Sequence, residues 1–309
     1  MATLTRADFE DFLSPEESAP IFNEARRGSV FQQLIPQVPL GINGQKIPVR
    51  AGKTTANWVG EGQRKPQTDL GLDLLTIEPK KLAAIVVMSA EVVRANPGNI
   101  TNEIRTDLAG AFAEAFDLAV AYNLGGDGTG TGPFDNYLAE TTKSVTLGTA
   151  TTTAGGIHTD LVEGMRLLVA DGKRLRGFAL DDSVEPDFWG AVDGNGHPLY
   201  VNLPTDDVSQ TIARPGRLLG RPSFMGEGVG NGDTVGFGGD FSKAAWGVVG
   251  GISYRVSTET AVTINGSLVS LWENNLVAVL AEAEYGFVVA DTEAFVKYER
   301  EAATGGGDD

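Results

Sequence analysis

Through ITNEIRTDLAGAFAEAFDLAVAYNL, apolar residues recur at helical spacing. Ile104, Leu108, Ala111, Phe112, Ala115, Leu118, Ala119 and Tyr122 share one face, while Glu103, Asp107, Glu114 and Asp117 fall on the other. The spacing predicts a helix over 101–124, roughly 36 Å long at ~1.5 Å per residue. Pro97-Gly98 breaks the chain before it, and GGDGTGTGP ends it. A rod of that length with one acidic side is the spine around which the remaining pattern is ordered.

Before the spine the pattern is extended. KIPVR, TANWVG, LDLLTIEP and KLAAIVVM each read as strand, with polar GEGQRKPQTDLG between them. This predicts a long two-stranded hairpin within Lys46 to Met88, with a flexible tip between about Gly60 and Gly71. Such a hairpin cannot bury both faces alone and needs a partner chain. Trp58 is its expected adhesive anchor, and Arg64 and Lys65 are expected contact residues beside it. Residues 1–43 read as an arm, with a short helix from Ser14 or Pro15 to Arg27 opened by SPEESAP.

After the spine, a Gly- and Thr-rich connector carries an edge strand. A second compact unit then starts near Ile157. Thr159 opens a helix with Leu161, Val162, Met165, Leu168 and Val169 on its apolar face. Arg176 to Leu180 reads as a buried strand, Asp182 to Trp189 as a short helix, and DGNGHP as a turn. LLGRPSFM, DTVGFGGD, AAWGVV and ISYRVS are further strands, giving an α+β unit with a mainly antiparallel sheet. The run Leu276 to Ala281 is apolar on both sides, so it is either a sheet strand covered on both faces or a buried helix. EAFVKY is a closing strand, and 301–309 a mobile tail.

Composition narrows the function. A net charge of −17 argues against a general nucleic-acid binder and repels anionic membranes. The absence of cysteine excludes disulfides, thiolate metal sites and cysteine nucleophiles, and suits a reducing compartment. Two histidines, His158 and His197, rule out a His-rich metal centre. No apolar run is long enough for a transmembrane helix, and the acidic start lacks a signal peptide's apolar core. Forty glycines imply many turns and tight backbone passages.

The candidate chemistry does not mature into a catalytic site. GGDGTGTG follows a helix instead of joining a strand to a helix N-terminus, and lacks Gly-Lys-Ser/Thr, so it reads as a plain loop and not a phosphate cradle. DGNGH opens like a calcium loop, but the closing glutamate would fall near Pro204. Asp181, Asp182, Glu185 and Asp187 could hold a divalent ion or serve an acidic hydrolase, but they read first as charges suited to a helix N-terminus. His158 has no serine in a nucleophile elbow to accompany it. The expectation is a non-enzyme with no catalytic residues, no cofactor and no metal.

The order of these features resembles the major capsid protein family of tailed bacteriophages, the Hong Kong 97-type shell fold, over nearly the whole chain. Three pieces carry the likeness: Met88-Ser89-Ala90-Glu91-Val92-Val93 entering the spine, GDGTGTGP from Gly126 to Pro133 leaving it, and the block from Trp272 to Lys297. Gly239-Asp240-Phe241-Ser242 before an apolar strand fits as well. Asp291-Thr292 departs, standing where the family often has Arg-Pro.

The resemblance implies an N-terminal arm (1–43), an extended loop (44–82), a peripheral domain (83–154 and 266–300) and an axial domain (155–265). It implies a structural subunit that self-assembles as pentamers and hexamers into an icosahedral shell around double-stranded DNA. Partners would be a separate scaffolding protein, a portal and decoration proteins. The DNA would be faced without sequence-specific binding, and assembly would occur in the host cytoplasm before residence in the virion. Glu103, Asp107, Glu114 and Asp117 would look inward or toward neighbouring subunits. An encapsulin-like nanocompartment around a cargo enzyme is the alternative within the same fold.

Overall fold

The computed structural model describes residues 28–50, 56–65, 67, 71–95, 100–151, 155–190, 200–202, 214–264 and 266–300. The chain enters through a short helix α1 (Val30–Leu34), whose N-cap Ser29 accepts from the Gln32 N–H at 3.0 Å. Strands β1 (Gln45–Arg50) and β2 (Leu72–Ile77) pair antiparallel, from Gln45 opposite Ile77 to Arg50 opposite Leu72. Next come β3 (Lys80–Ser89), α2 (Ala90–Ala95) and the spine, α3 (Ile100–Tyr122). The chain continues through β4 (Ser144–Leu147), α4 (Ile157–Ala170), β5 (Gly177–Leu180) and α5 (Glu185–Gly190). Then follow β6 (Tyr200–Asn202), β7 (Arg214–Leu218), β8 (Arg221–Met225) and β9 (Thr234–Gly239). The last strands are β10 (Ala244–Ser257), β11 (Ala261–Ile264), β12 (Ser267–Ser270), β13 (Leu276–Val289) and β14 (Phe295–Arg300).

Alanine-rich sequence without interior proline lets α3 run for 23 residues. It stops where Asn123 takes a left-handed φ of 53° and its N–H returns to the Ala119 carbonyl at 3.0 Å. The glycine loop then folds back on this end. The Gly132 N–H donates to the Asn123 carbonyl at 2.6 Å, and the Phe134 N–H to the Asn123 side chain at 3.0 Å. A Cβ on Gly132 would stand 2.5 Å from the Leu124 carbonyl oxygen, so the loop needs glycine for close backbone approach. Gly132→Ala should therefore lower stability by about 1–3 kcal/mol in urea unfolding; an unchanged midpoint would contradict this packing.

Two sheets organise the rest. One has the order β10-β13-β3, antiparallel throughout, and α3 packs on it through Phe116, which meets Trp246 and Tyr285 at ring-centroid distances of 5.6 and 5.2 Å. The other is seven-stranded, β4-β14-β9-β5-β8-β7-β6, with β4/β14 and β5/β8 parallel and the other pairs antiparallel. The main core, centred on Phe31, Phe112, Phe116, Phe237, Trp246 and Phe295, joins the two.

Several expectations change on this frame. The 276–281 run is strand, part of the 14-residue β13 between β10 and β3. AAWGVV and ISYRVS are one strand, not two: β10 is continuous, with its register shifted between Val249 and Ser253, where Gly250 and Gly251 take positive φ. TANWVG is not a strand over residues 56–60, and the β1–β2 ladder ends at Arg50 and Leu72 among the described residues. The second sheet is mainly antiparallel, as expected, with two parallel pairs in it.

The boundaries expected from sequence also cut across the sheets. β4 and β14 join the strands of 155–265, while β10 pairs with β13. The helix expected over Ser14 to Arg27, the DGNGHP turn and the 301–309 tail lie outside the described residues.

Candidate assembly surfaces

At the base of the hairpin, Ile77 is fully buried against Leu40 and Val288. Away from the base, burial fails. Leu74 is 64% exposed and Trp58 is as exposed as an isolated residue, at 105%. Arg64 and Lys65 are exposed near it. A solvated indole at the end of a projecting hairpin leaves a large apolar area without a partner inside the chain.

The four acids expected on one face of the spine do not share one fate. Asp107 and Glu114 are exposed, and the Glu103 side chain lies outside the described residues. Asp117 corrects the reading: it is wholly buried. Residues Ser29 to Phe31 cover the polar side of α3 at Asp117; residues 115–121 of the helix are all buried, and Ala111, expected inward, is exposed. Asp117 then caps α1. Its carboxylate accepts from the Ser29 hydroxyl at 2.5 Å, the Val30 N–H at 2.8 Å and the Phe31 N–H at 3.4 Å.

Burial pushes the Asp117 carboxyl from an ordinary 3.8 up to about 7, against the pull of those three hydrogen bonds. Between about pH 4 and pH 7 the folded chain thus keeps a proton that the unfolded chain has lost. The cost of burial is absent below that window, grows as pH rises through it, and is complete above it. Relative to Asp117→Asn, the unmodified chain should gain about 2 kcal/mol between pH 8 and pH 5.5 in urea unfolding. A gain on raising the pH instead would rule out a buried, titrating carboxyl.

Two of the carboxylates considered for catalysis have structural work. Asp181 accepts from the Ser183 and Gly230 N–H groups, both at 3.0 Å, capping the turn into α5. Asp187 pairs with Arg300 of β14. Among the described residues, no group of three or more His, Asp or Glu is placed to hold a metal ion. Within the glycine loop, Asp127 accepts from the Thr129 N–H at 3.0 Å.

Two further apolar exposures escaped the sequence reading. Leu268 on β12 is 76% exposed and Trp272 beyond it 74%. The signal was present in SLVSLWENN, but an apolar run next to a strand reads equally well as core.

Matched against known families, residues 11–299 fit the model of the phage capsid family. The chain belongs to that family. The probable major capsid protein gp17 of Mycobacterium phage D29 is 41% identical over 302 residues, covering 96% of this chain and 93% of the relative. Its counterpart in Mycobacterium phage L5 is 41% identical over 307 residues, covering 96% and 91%. A solved structure from Gordonia phage Cozz superposes with a TM-score of 0.67 at 25% identity, covering 89% of this chain and 87% of the other. The chain is a structural capsid-shell protein with the Hong Kong 97-type fold, a component of the virion.

Proposed function

We propose that copies of this chain assemble as pentamers and hexamers into a closed icosahedral shell around double-stranded DNA, with the hairpin of each copy laid across its neighbour. The observation that supports this most is Trp58, solvated at the end of a hairpin whose base alone is buried. The capsid names of the relatives favour DNA over an enzyme cargo as the shell's content. The chain's role is structural and not enzymatic; a separate scaffolding protein guides assembly in the host cytoplasm, and portal and decoration proteins join the shell.

In this reading residues 1–43 are the arm and 44–82 the extended loop. The spine with the β10-β13-β3 sheet forms the peripheral part, and the seven-stranded sheet, including β4 and β14, the axial part. Arg64 and Lys65 meet carboxylates of a neighbour, with Asp107 and Glu114 as the exposed spine candidates and Glu103 beside them. The excess of acid keeps the packaged DNA from adhering.

Charge reversal tests the contact. Arg64→Glu with Lys65→Glu should cut the yield of sedimenting particles about tenfold and leave the melting temperature of the isolated chain unchanged. Normal particle yield from that variant would remove these two residues from the interface.

A further inference from the structure

One cavity on the surface has the shape and chemistry to receive what the hairpin exposes. It lies between α3, the glycine loop and the start of β3, with a volume of about 330 Å³. Leu82, Ala115, Phe116, Ala119, Phe134 and Tyr285 line it. The Phe116 and Tyr285 rings, 5.2 Å apart, make an aromatic wall. Lys80 and Lys81 stand at its rim, each partly exposed and paired with a surface carboxylate, Glu78 or Glu282.

We propose that this cavity is the socket for Trp58 of a second copy of the chain. Resting on the shell reading above, this names the seat that the hairpin tip takes on its neighbour. The socket is apolar and aromatic where an indole needs contact, and cationic at the rim, where lysines can approach an aromatic face. Glu61, exposed three residues beyond Trp58, carries the charge opposite to Lys80 and Lys81.

The chain does not fill its own socket. Lys80 adjoins the base of the hairpin, whereas Trp58 lies beyond the far end of a ladder of six residue pairs. At ~3.4 Å per residue the ladder alone separates them by roughly 20 Å. Trp58 is fully exposed in its own chain, so it does not occupy the cavity there. The contact is therefore tip to base between copies. It joins two different surfaces, which generates a ring when the rotation closes.

The absence of cysteine makes the test clean. Val59→Cys beside the indole and Thr131→Cys on the socket lining should form an intermolecular disulfide only if tip and socket meet. Oxidised particles of the double variant should run as a ladder of covalent oligomers on denaturing gels, and neither single variant should do so. Trp58→Ala, which removes no contact inside the chain, should leave the melting temperature unchanged and raise the concentration needed for assembly at least tenfold. Particles of the double variant without a ladder, or Trp58→Ala assembling at the unmodified concentration, would overturn the socket and leave the shell reading intact. If the unmodified chain forms no particles, the shell reading fails and the socket with it.

Discussion

Asp117→Ala should destabilise the chain by roughly 3 kcal/mol, while Asp107→Ala and Glu114→Ala, on the same helix, should each change stability by less than about 0.5 kcal/mol. The difference comes from what each carboxylate touches. Asp107 and Glu114 face solvent. Among the described residues Asp117 is the acceptor for the Ser29 hydroxyl and the Val30 and Phe31 N–H groups, and truncation takes that acceptor away from three buried donors. Asp117→Asn should recover part of the loss. Its carbonyl oxygen still accepts, but its amide group is a second donor against one of the N–H groups. Urea unfolding of the four variants decides the matter, and equal small effects at all three positions would return Asp117 to the surface.

Trp246→Ala should cost about 3–5 kcal/mol in the same measurement. The indole is fully buried, packs edge-on against Phe116 at 5.6 Å and lies 6.5 Å from Tyr285. Its Nε1–H donates to the Ile35 carbonyl at 3.0 Å. Backbone bonds reinforce that link: the Val38 N–H donates to the Trp246 carbonyl at 2.8 Å, and the Trp246 N–H to the Pro36 carbonyl at 3.3 Å. Trp246 thus fastens residues 35–38 to β10 as Asp117 fastens residues 29–31 to the spine. Trp246→Phe should restore most of the packing and lose about 1 kcal/mol for the missing donor. A cost below about 1 kcal/mol for Trp246→Ala would mean that the segment is not locked where the structure places it.

These two anchors mark the limit of what could be read from sequence. The spine, its loop exit, the hairpin and the solvated Trp58 were legible because each rests on local pattern: helical spacing, a glycine run, extended segments around a polar tip. Asp117 was not, since helical periodicity reports only which residues share a face. The cover on its polar side comes from residues 86 to 88 positions earlier in the chain. β10 looked like two strands because paired glycines that bulge a strand also end one. Long-range pairing hid in the same way. β14 closes the sequence but sits inside the seven-stranded sheet, beside β4 from the connector, and no local signal marks that parallel neighbour. The resemblance to a capsid subunit rested on the order of elements, and the match over residues 11–299 agrees with it.

Electron microscopy of the full chain expressed with the scaffolding protein proposed for it tests the central claim most directly. The account predicts closed icosahedral particles with five- and six-fold capsomers and density from each hairpin tip reaching the base of its neighbour; monomers or small closed oligomers alone would contradict it.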